Sequence, residues 1–228
     1  MLKYGIKQEL PEAKTIIWSK RLAYVIGIIT TDGTLRKNRK TFKIGMKDKE
    51  VIEFIRSVIK EEVTGRENAI NTEIKVVGNK RCLLYSYSFT SPLFFSFCLD
   101  VGLMPNKSLC LSKLHIPKEF FPSFLLGVID GDGNINSLKR ELKGKSVVHN
   151  HLRIFSGSVE FLFWLNNQVT EIFQIESGSI VSETSCRKNP MFTLFWSNKA
   201  AVQRILKGIY QEGFYVMKRK FEQVKQLL

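Results

Sequence analysis

The sequence predicts an α+β protein built as two similar halves, and three observations carry that prediction. The stretch Tyr24–Gly33, YVIGIITTDG, returns as Phe124–Gly133, FLLGVIDGDG, with Asp32 and Asp132 at the same place in the two copies. Each copy has helical periodicity and is followed by strand periodicity, then by a second helix: VIEFIRSVI in the first half, VEFLFWLNNQV in the second. The chain of 228 residues has room for two small units of this kind, so the repeat reads as a duplicated α+β unit and not as a short-period solenoid. We place the halves at residues 1–113 and 114–228.

Taken in order, Ser19 to Thr31 reads as a helix capped by Ser19, with Leu22, Ala23, Ile26, Ile29 and Thr30 at helical spacing and Gly33 as its C-terminal stop. Thr41–Lys47 alternates Phe42, Ile44 and Met46 with Lys43 and Lys47, the period of a strand with one buried and one basic face. Residues 51–61 are helical on the stripe Ile52, Ile55 and Ile59. Strand-like runs follow at 74–77 and 83–89, then an apolar helix at 94–101 ending at Gly102. Residues 104–122, with Pro105, Pro117 and Pro122, read as the connection between halves. The second half repeats the order: a helix from Phe124, a strand at 147–155, a helix at 159–173, strands at 179–183 and 191–196, and helices at 199–210 and 217–228. In its first strand Val148, Leu152 and Ile154 lie opposite His149, His151 and Arg153.

Composition narrows the partner. Lys and Arg number 35 against 21 Asp and Glu, a formal net charge of +14, which favours a polyanion and nucleic acid first. The cysteines Cys82, Cys98, Cys110 and Cys186 form no CxxC pair, which fits a reduced, intracellular protein without a zinc site or disulfide framework. No apolar run approaches the ~18–20 residues that cross a bilayer, so no membrane partner is expected.

The paired segments carry the chemistry. Gly27 and Thr31, and Gly127 and Gly131, are small residues four apart, hence on one helix face, where they allow backbone-to-backbone packing. Each helix ends in an aspartate, where the macrodipole makes a carboxylate unfavourable by a few tenths to ~1 kcal/mol. If the helices pair in the same direction, Asp32 and Asp132 converge and repel unless a cation lies between them. Mg²⁺ suits such a site, with the backbone carbonyls of Thr31 and Gly131 as further oxygen ligands. Metal-activated water attacking a phosphodiester is the matching reaction.

These motifs resemble the pair found in single-chain LAGLIDADG homing endonucleases. GLMPNKS followed by IPKEFFPSFLLGVIDGDG, and YQEGFYVMKRKFEQV near the end, are also similar to family patterns. The resemblance implies two αββαββα halves joined through paired motif helices, with two antiparallel sheets forming a saddle over DNA. It implies that Asp32 and Asp132 share two or three divalent ions, Mg²⁺ by expectation, and that both strands of a long DNA site are cut with short 3′ overhangs. The earlier acidic position of the motif is Thr30 in one copy and Asp130 in the other; Asp130 is expected to support the turn and not the chemistry. A monomer acting inside a prokaryotic cell or an organelle is implied. The start at Met1 and the lack of obvious splicing residues suggest a free-standing or intron-encoded protein rather than an intein.

Basic residues near the metals would complete the site. Lys47 is the first candidate, and its counterpart aligns with Gly157; Lys107 and Lys220, at matching places late in the halves, make a symmetric pair. Arg36, Lys37, Arg39, Lys40 and Lys43, then Lys139, Arg140, His149, His151 and Arg153, are candidate DNA contacts, as are Lys143 and Lys145 in the same run. A non-catalytic nucleic-acid binder of the same fold, such as a splicing maturase or a transcription regulator, is the alternative. Asp130, Asp132, Asn134 and Glu141 match an EF-hand loop in part, but Ile135 stands where that loop needs glycine. His149-Asn150-His151 spells HNH without the ββα spread that motif needs.

Overall fold

Two sheets with the same strand order sit on either side of one central helix pair. The structure is a computed structural model that describes residues 15–77, 80–142, 145–183, 189–211 and 213–228, with backbone alone at 77, 80, 137–142 and 145–150. The first half runs α1 (Lys20–Asp32), β1 (Gly33–Arg36), β2 (Thr41–Met46), α2 (Lys49–Val58), β3 (Ile70–Val77), β4 (Lys80–Thr90) and α3 (Pro92–Val101). The second runs α4 (Phe121–Asp132), β5 (Gly133–Leu142), β6 (Lys145–Ser156), α5 (Val159–Phe173), β7 (Ser179–Ser182), β8 (Phe192–Trp196) and α6 (Lys199–Ile209), and closes with α7 (Lys218–Val224). Every strand pair is antiparallel, in the orders β1-β2-β4-β3 and β5-β6-β8-β7.

Local chemistry accounts for the helix ends. Ser19 accepts from the Leu22 N–H at 3.0 Å, and Ser91, Ser158 and Asn198 cap α3, α5 and α6 in the same way. Pro122 sits in the first turn of α4, where its missing N–H costs nothing. Gly102 ends α3 with φ of 102°, a left-handed conformation that side-chain-bearing residues disfavour. The helix expected to end at residue 61 continues past α2 as a π-helical turn, Ile59–Thr64.

The sheets bury one face and present the other. In the first, Phe42 pairs with Phe89 and Ile44 with Tyr87, all buried, and the Phe42 ring lies 5.0 Å from that of Phe94 in α3. The alternate residues Thr41, Lys43 and Gly45 point the other way, opposite Thr90, Ser88 and Ser86. In the second sheet Leu152 and Ile154 are buried against Trp196 and Leu194, leaving His151 and Arg153 on the opposite face, as their phase predicts.

Three expectations need correction. Residues 33–36, of which only Gly33 carries a structural expectation, as the stop of the helix, form strand β1, paired from Gly33↔Ile44 to Arg36↔Thr41. Gly33 does not end α1 through a left-handed cap: its φ is −81° and ψ 141°, an extended geometry open to any residue. Its glycine is demanded by crowding, since a Cβ there would stand 2.6 Å from the Ile29 carbonyl oxygen. The last helix, α7, is confined to Lys218–Val224 and does not fill 217–228.

Candidate active site

The site starts from the crossing of α1 and α4. A Cβ on Gly27 would overlap the Phe124 carbonyl oxygen and stand 2.9 Å from Gly127 Cα; one on Gly127 would overlap the Tyr24 carbonyl oxygen. The helices therefore touch backbone to backbone, running in the same direction so that their C-terminal ends meet. At that end a Cβ on Gly131 would strike the Thr31 hydroxyl and stand 2.7 Å from Asp32 Oδ2. The four small residues thus serve the close approach their spacing predicted.

Asp32 and Asp132 end the two helices. Both reach solvent, yet the protein around them removes part of their hydration, and this raises both from the usual aspartate value. For Asp132 the charge of Asp32 is the second cause, and together they push it up to about 6. Lys220 and Lys107 pull both carboxylates back down.

Those two lysines are buried, at 5% exposure for Lys107 and 6% for Lys220. Lys107 Nζ donates to the Gly33 carbonyl at 2.5 Å. Lys220 Nζ donates to the carbonyls of Ile129, of Asp130 at 2.8 Å and of Gly133 at 2.9 Å. Each ammonium thus bonds carbonyls at or just past the end of its own motif helix, where the macrodipole favours a cation. Burial lowers the pKa of both, while the neighbouring aspartates oppose that shift. Lys47 stands apart from this group: it is exposed just past the end of β2. Its counterpart Gly157 cannot carry a side chain as the chain lies, because a Cβ would stand 2.7 Å from the Ser108 carbonyl oxygen. A cavity of about 240 Å³ opens there, lined by Asp132, Thr30, Thr31, Ser108, Gly157 and Asn189 among others.

Asp130 behaves differently from the expectation that it supports the turn. It is 1% exposed, and its Oδ2 accepts from the Tyr24 hydroxyl of the other motif helix at 2.8 Å. Burial raises it to about 7, against the Tyr24 hydrogen bond, the Lys220 charge and the Met217 N–H, which lower it. The partial EF-hand match also dissolves, since Asp130 and Asp132 lie in α4 and Asn134 in β5.

Among the described residues, Arg36, Lys43, His151 and Arg153 fall on the outward sheet faces. Arg36, Lys37, Arg39 and Lys40 are exposed at and beyond the end of β1. Lys43 is half-buried and pairs with Glu73 at 3.1 Å, an acidic neighbour that sequence reasoning missed. Arg153 pairs across β5 with Asn134, and His151 with Asn136. The side chains of Lys139, Arg140, Lys145 and His149, and Lys143 as a whole, lie outside the described residues.

The oxygen-only donor set around Asp32 and Asp132 suits a hard divalent ion that takes its remaining ligands from water and phosphate. Among the described residues no group of three or more His, Cys, Asp or Glu side chains converges. Cys82, Cys98 and Cys110 are free thiols, and Cys186 lies outside the described residues. Among the described residues no helix is long and apolar enough to cross a membrane.

No protein-family model matches the sequence, and no curated protein matches it. Solved structures do. The homing endonuclease I-WcaI bound to its DNA recognition sequence is similar over 95% of this chain and 89% of its own, with a TM-score of 0.57 at 16% identity. The LAGLIDADG meganuclease I-AabMI bound to uncleaved DNA covers 88% of this chain and 87% of its own, with a TM-score of 0.51 at 14% identity. Full-length WhiA from Thermatoga maritima is similar over 92% of this chain but 61% of its own, with a TM-score of 0.54 at 16% identity.

Proposed function

We propose, on the premise that this chain has the fold of the LAGLIDADG homing endonucleases, that it is a metal-dependent endonuclease acting as a monomer on both strands of a double-stranded DNA site. The observation that carries the reading is the convergence of Asp32 and Asp132 at the ends of two helices held together by Gly27 and Gly127. Two carboxylates are kept close at an electrostatic cost that nothing in the fold requires.

Asp32 and Asp132, with the carbonyls of Thr31 and Gly131, would hold two or three Mg²⁺ ions. Bound there, the metal supplies an activated water and neutralises the leaving oxygen. The chain's own groups do the rest. Lys107 and Lys220 hold positive charge beside the carboxylates, where negative charge grows as the phosphodiester is attacked. Lys47, just past the end of β2, is a further candidate for polarising the attacking water, in the first half alone. The DNA backbone and base edges are taken by Arg36, Lys37, Arg39, Lys40 and Lys43 in one half and by Lys139, Arg140, His149, His151 and Arg153 in the other. The halves meet at residues 113 and 114, hydrolysis leaves short 3′ overhangs, and the protein works inside the cell as an intron-encoded or free-standing homing enzyme.

The test is cleavage of a randomised DNA library in Mg²⁺, with the cut ends sequenced. Asp132→Asn should reduce double-strand cleavage at least a hundredfold, about 3 kcal/mol of barrier, while leaving DNA binding within a few-fold. If Asp32→Asn and Asp132→Asn both cut like the parent, the site is misassigned. A second reading, a non-catalytic nucleic-acid binder such as a maturase or transcription regulator, is favoured by the shared fold of WhiA. A parent that retains selected library members yet cuts none of them in Mg²⁺ or Mn²⁺ would replace the first reading with this one.

A further inference from the structure

Each motif helix receives its buried lysine on a chain segment that crosses to the opposite half, and the two crossings are built differently. The first-half segment carrying Lys107 lies over the start of α5: the Ser158 hydroxyl donates to the Leu111 carbonyl at 2.5 Å, and Ser108 presses on Gly157. The second-half segment carrying Lys220 lies over α2 and is gripped along its length. The Tyr215 ring stacks on Phe54 at 3.9 Å, and the Lys218 N–H donates to Glu50 at 3.1 Å. Arg219 clasps both oxygens of Asp48 at 3.1 Å each.

At the centre of the second crossing is a buried polar pair without a counterpart. Tyr24 of α1 donates to Asp130 of α4, and Met217, three residues before Lys220, turns its N–H toward the same carboxylate. The rings of Tyr215 and Tyr24 meet at 5.0 Å. The equivalent residues of the other half are Phe124 and Thr30; Phe124 has no hydroxyl, and Thr30 spends its own on the Ile26 carbonyl of its own helix at 2.8 Å. The difference reaches the lysines: three carbonyls hold Lys220, and Gly33 alone receives Lys107.

We infer that Tyr24 and Asp130 are positioning residues for Lys220: their hydrogen bond locks the 215–220 segment across the helix pair and fixes one of the two lysine ammoniums, but not the other, against its motif helix. This rests on the endonuclease reading for its consequence, which is that the two strands are served by ammoniums of unequal freedom.

The experiment compares the parent with Tyr24→Phe, which removes only the hydroxyl, and Asp130→Thr, which installs the residue of the other half. The nicking rate of each strand is followed separately on end-labelled DNA. Both variants should slow one strand at least fivefold and leave the other within twofold. Equal slowing of the two strands indicates a merely structural pair and overturns the inference, as does no change in either. Lysine accessibility is read independently, by acylating the native proteins with acetic anhydride well below their melting temperatures and analysing them by mass spectrometry. Lys220 should react at least tenfold faster in the variants, with Lys107 within twofold of the parent. If both lysines change together, or neither does, the positioning role is wrong. Should Asp130→Thr fail to fold, Asp48→Asn, which frees Arg219 from the exposed end of the same segment, should give the same one-sided pattern at smaller amplitude. A parent that nicks neither strand defeats the endonuclease reading, and the acylation pattern then decides the positioning role alone.

Discussion

The two halves share a strand order, a motif helix and a buried lysine, and they part company at three matched places. Tyr24 and Asp130 face each other where the mirror pair is Phe124 and Thr30. Lys47 is matched by Gly157, and one carbonyl bond to Lys107 is matched by three to Lys220. What agrees is the Gly27–Gly127 contact and the aspartate that ends each motif helix. What differs lies mostly where each half is packed by the other's crossing segment. Gly157 shows the cause: Ser108 passes so close over it that the second half has no room for a lysine.

The comparison is broken most directly at the axis. Gly27→Ala and Gly127→Ala each drive a methyl into a carbonyl of the partner helix, and each should cost on the order of 3–5 kcal/mol, lowering the melting temperature by roughly 6–20 °C. The two effects should match within ~1 kcal/mol. Gly45→Ala, whose Cβ would stand 3.8 Å from its nearest neighbour, should change stability by less than ~0.5 kcal/mol. A tolerated alanine at Gly27 would mean the helices do not touch as described.

The Asp130 carboxyl gives the next effect. It stands at about 7 in the folded chain against about 3.9 when unfolded. A raised carboxyl holds its proton better in the folded state, so its stabilisation is complete below the unfolded value and is lost as pH rises through 7. At about 1.4 kcal/mol per pH unit, the metal-free chain should lose as much as about 4 kcal/mol between pH 4 and 7. Asp130→Thr, which makes this position like its mate, should flatten most of that slope in denaturant titrations. An unchanged slope would locate the pH dependence elsewhere.

Removing the lysines should sharpen the contrast. Lys220→Met removes three hydrogen bonds to main-chain carbonyls, of which the Ile129 oxygen keeps its bond from the Gly133 N–H, and Lys107→Met removes one, so chemical denaturation should register losses of roughly 2–3 and 1 kcal/mol respectively. Equal losses would argue that the extra bonds contribute little. The smallest effect concerns the outer faces. Arg36→Ala and Arg153→Ala should each reduce the log–log salt slope of DNA affinity by about 1, out of a total near −7 to −9 for ~8–10 phosphates. A change in only one would mean that one half does most of the gripping.

The motif helices, the phase of β2 and β6, and the small-residue face were legible because a period or a repeat announces each of them. Strand β1 was not, since four residues with Leu35 as the single large apolar side chain give no period to read. Lys107 and Lys220 could be singled out by their matching places, but not their burial, which depends on carbonyls 74 to 91 positions away. Asp130 was misread for the same reason. Its partner Tyr24 is 106 positions distant and looks, in sequence, like one more apolar residue of the helix. Lys43 was legible as basic and outward, whereas its ion-pair partner Glu73 belongs to β3, on the far side of β4, whose register only the fold sets.

The glycine crossing has one more consequence. Most interfaces set their spacing by side chains, and so drift whenever those are exchanged. Here the spacing is that of two bare backbones, which can neither be padded nor compressed. The offset between the two carboxylates is thus a fixed gauge, independent of everything built on the sheets. On the endonuclease reading, substitutions on the outer faces can change which sequence is held without moving the points at which the two strands are addressed.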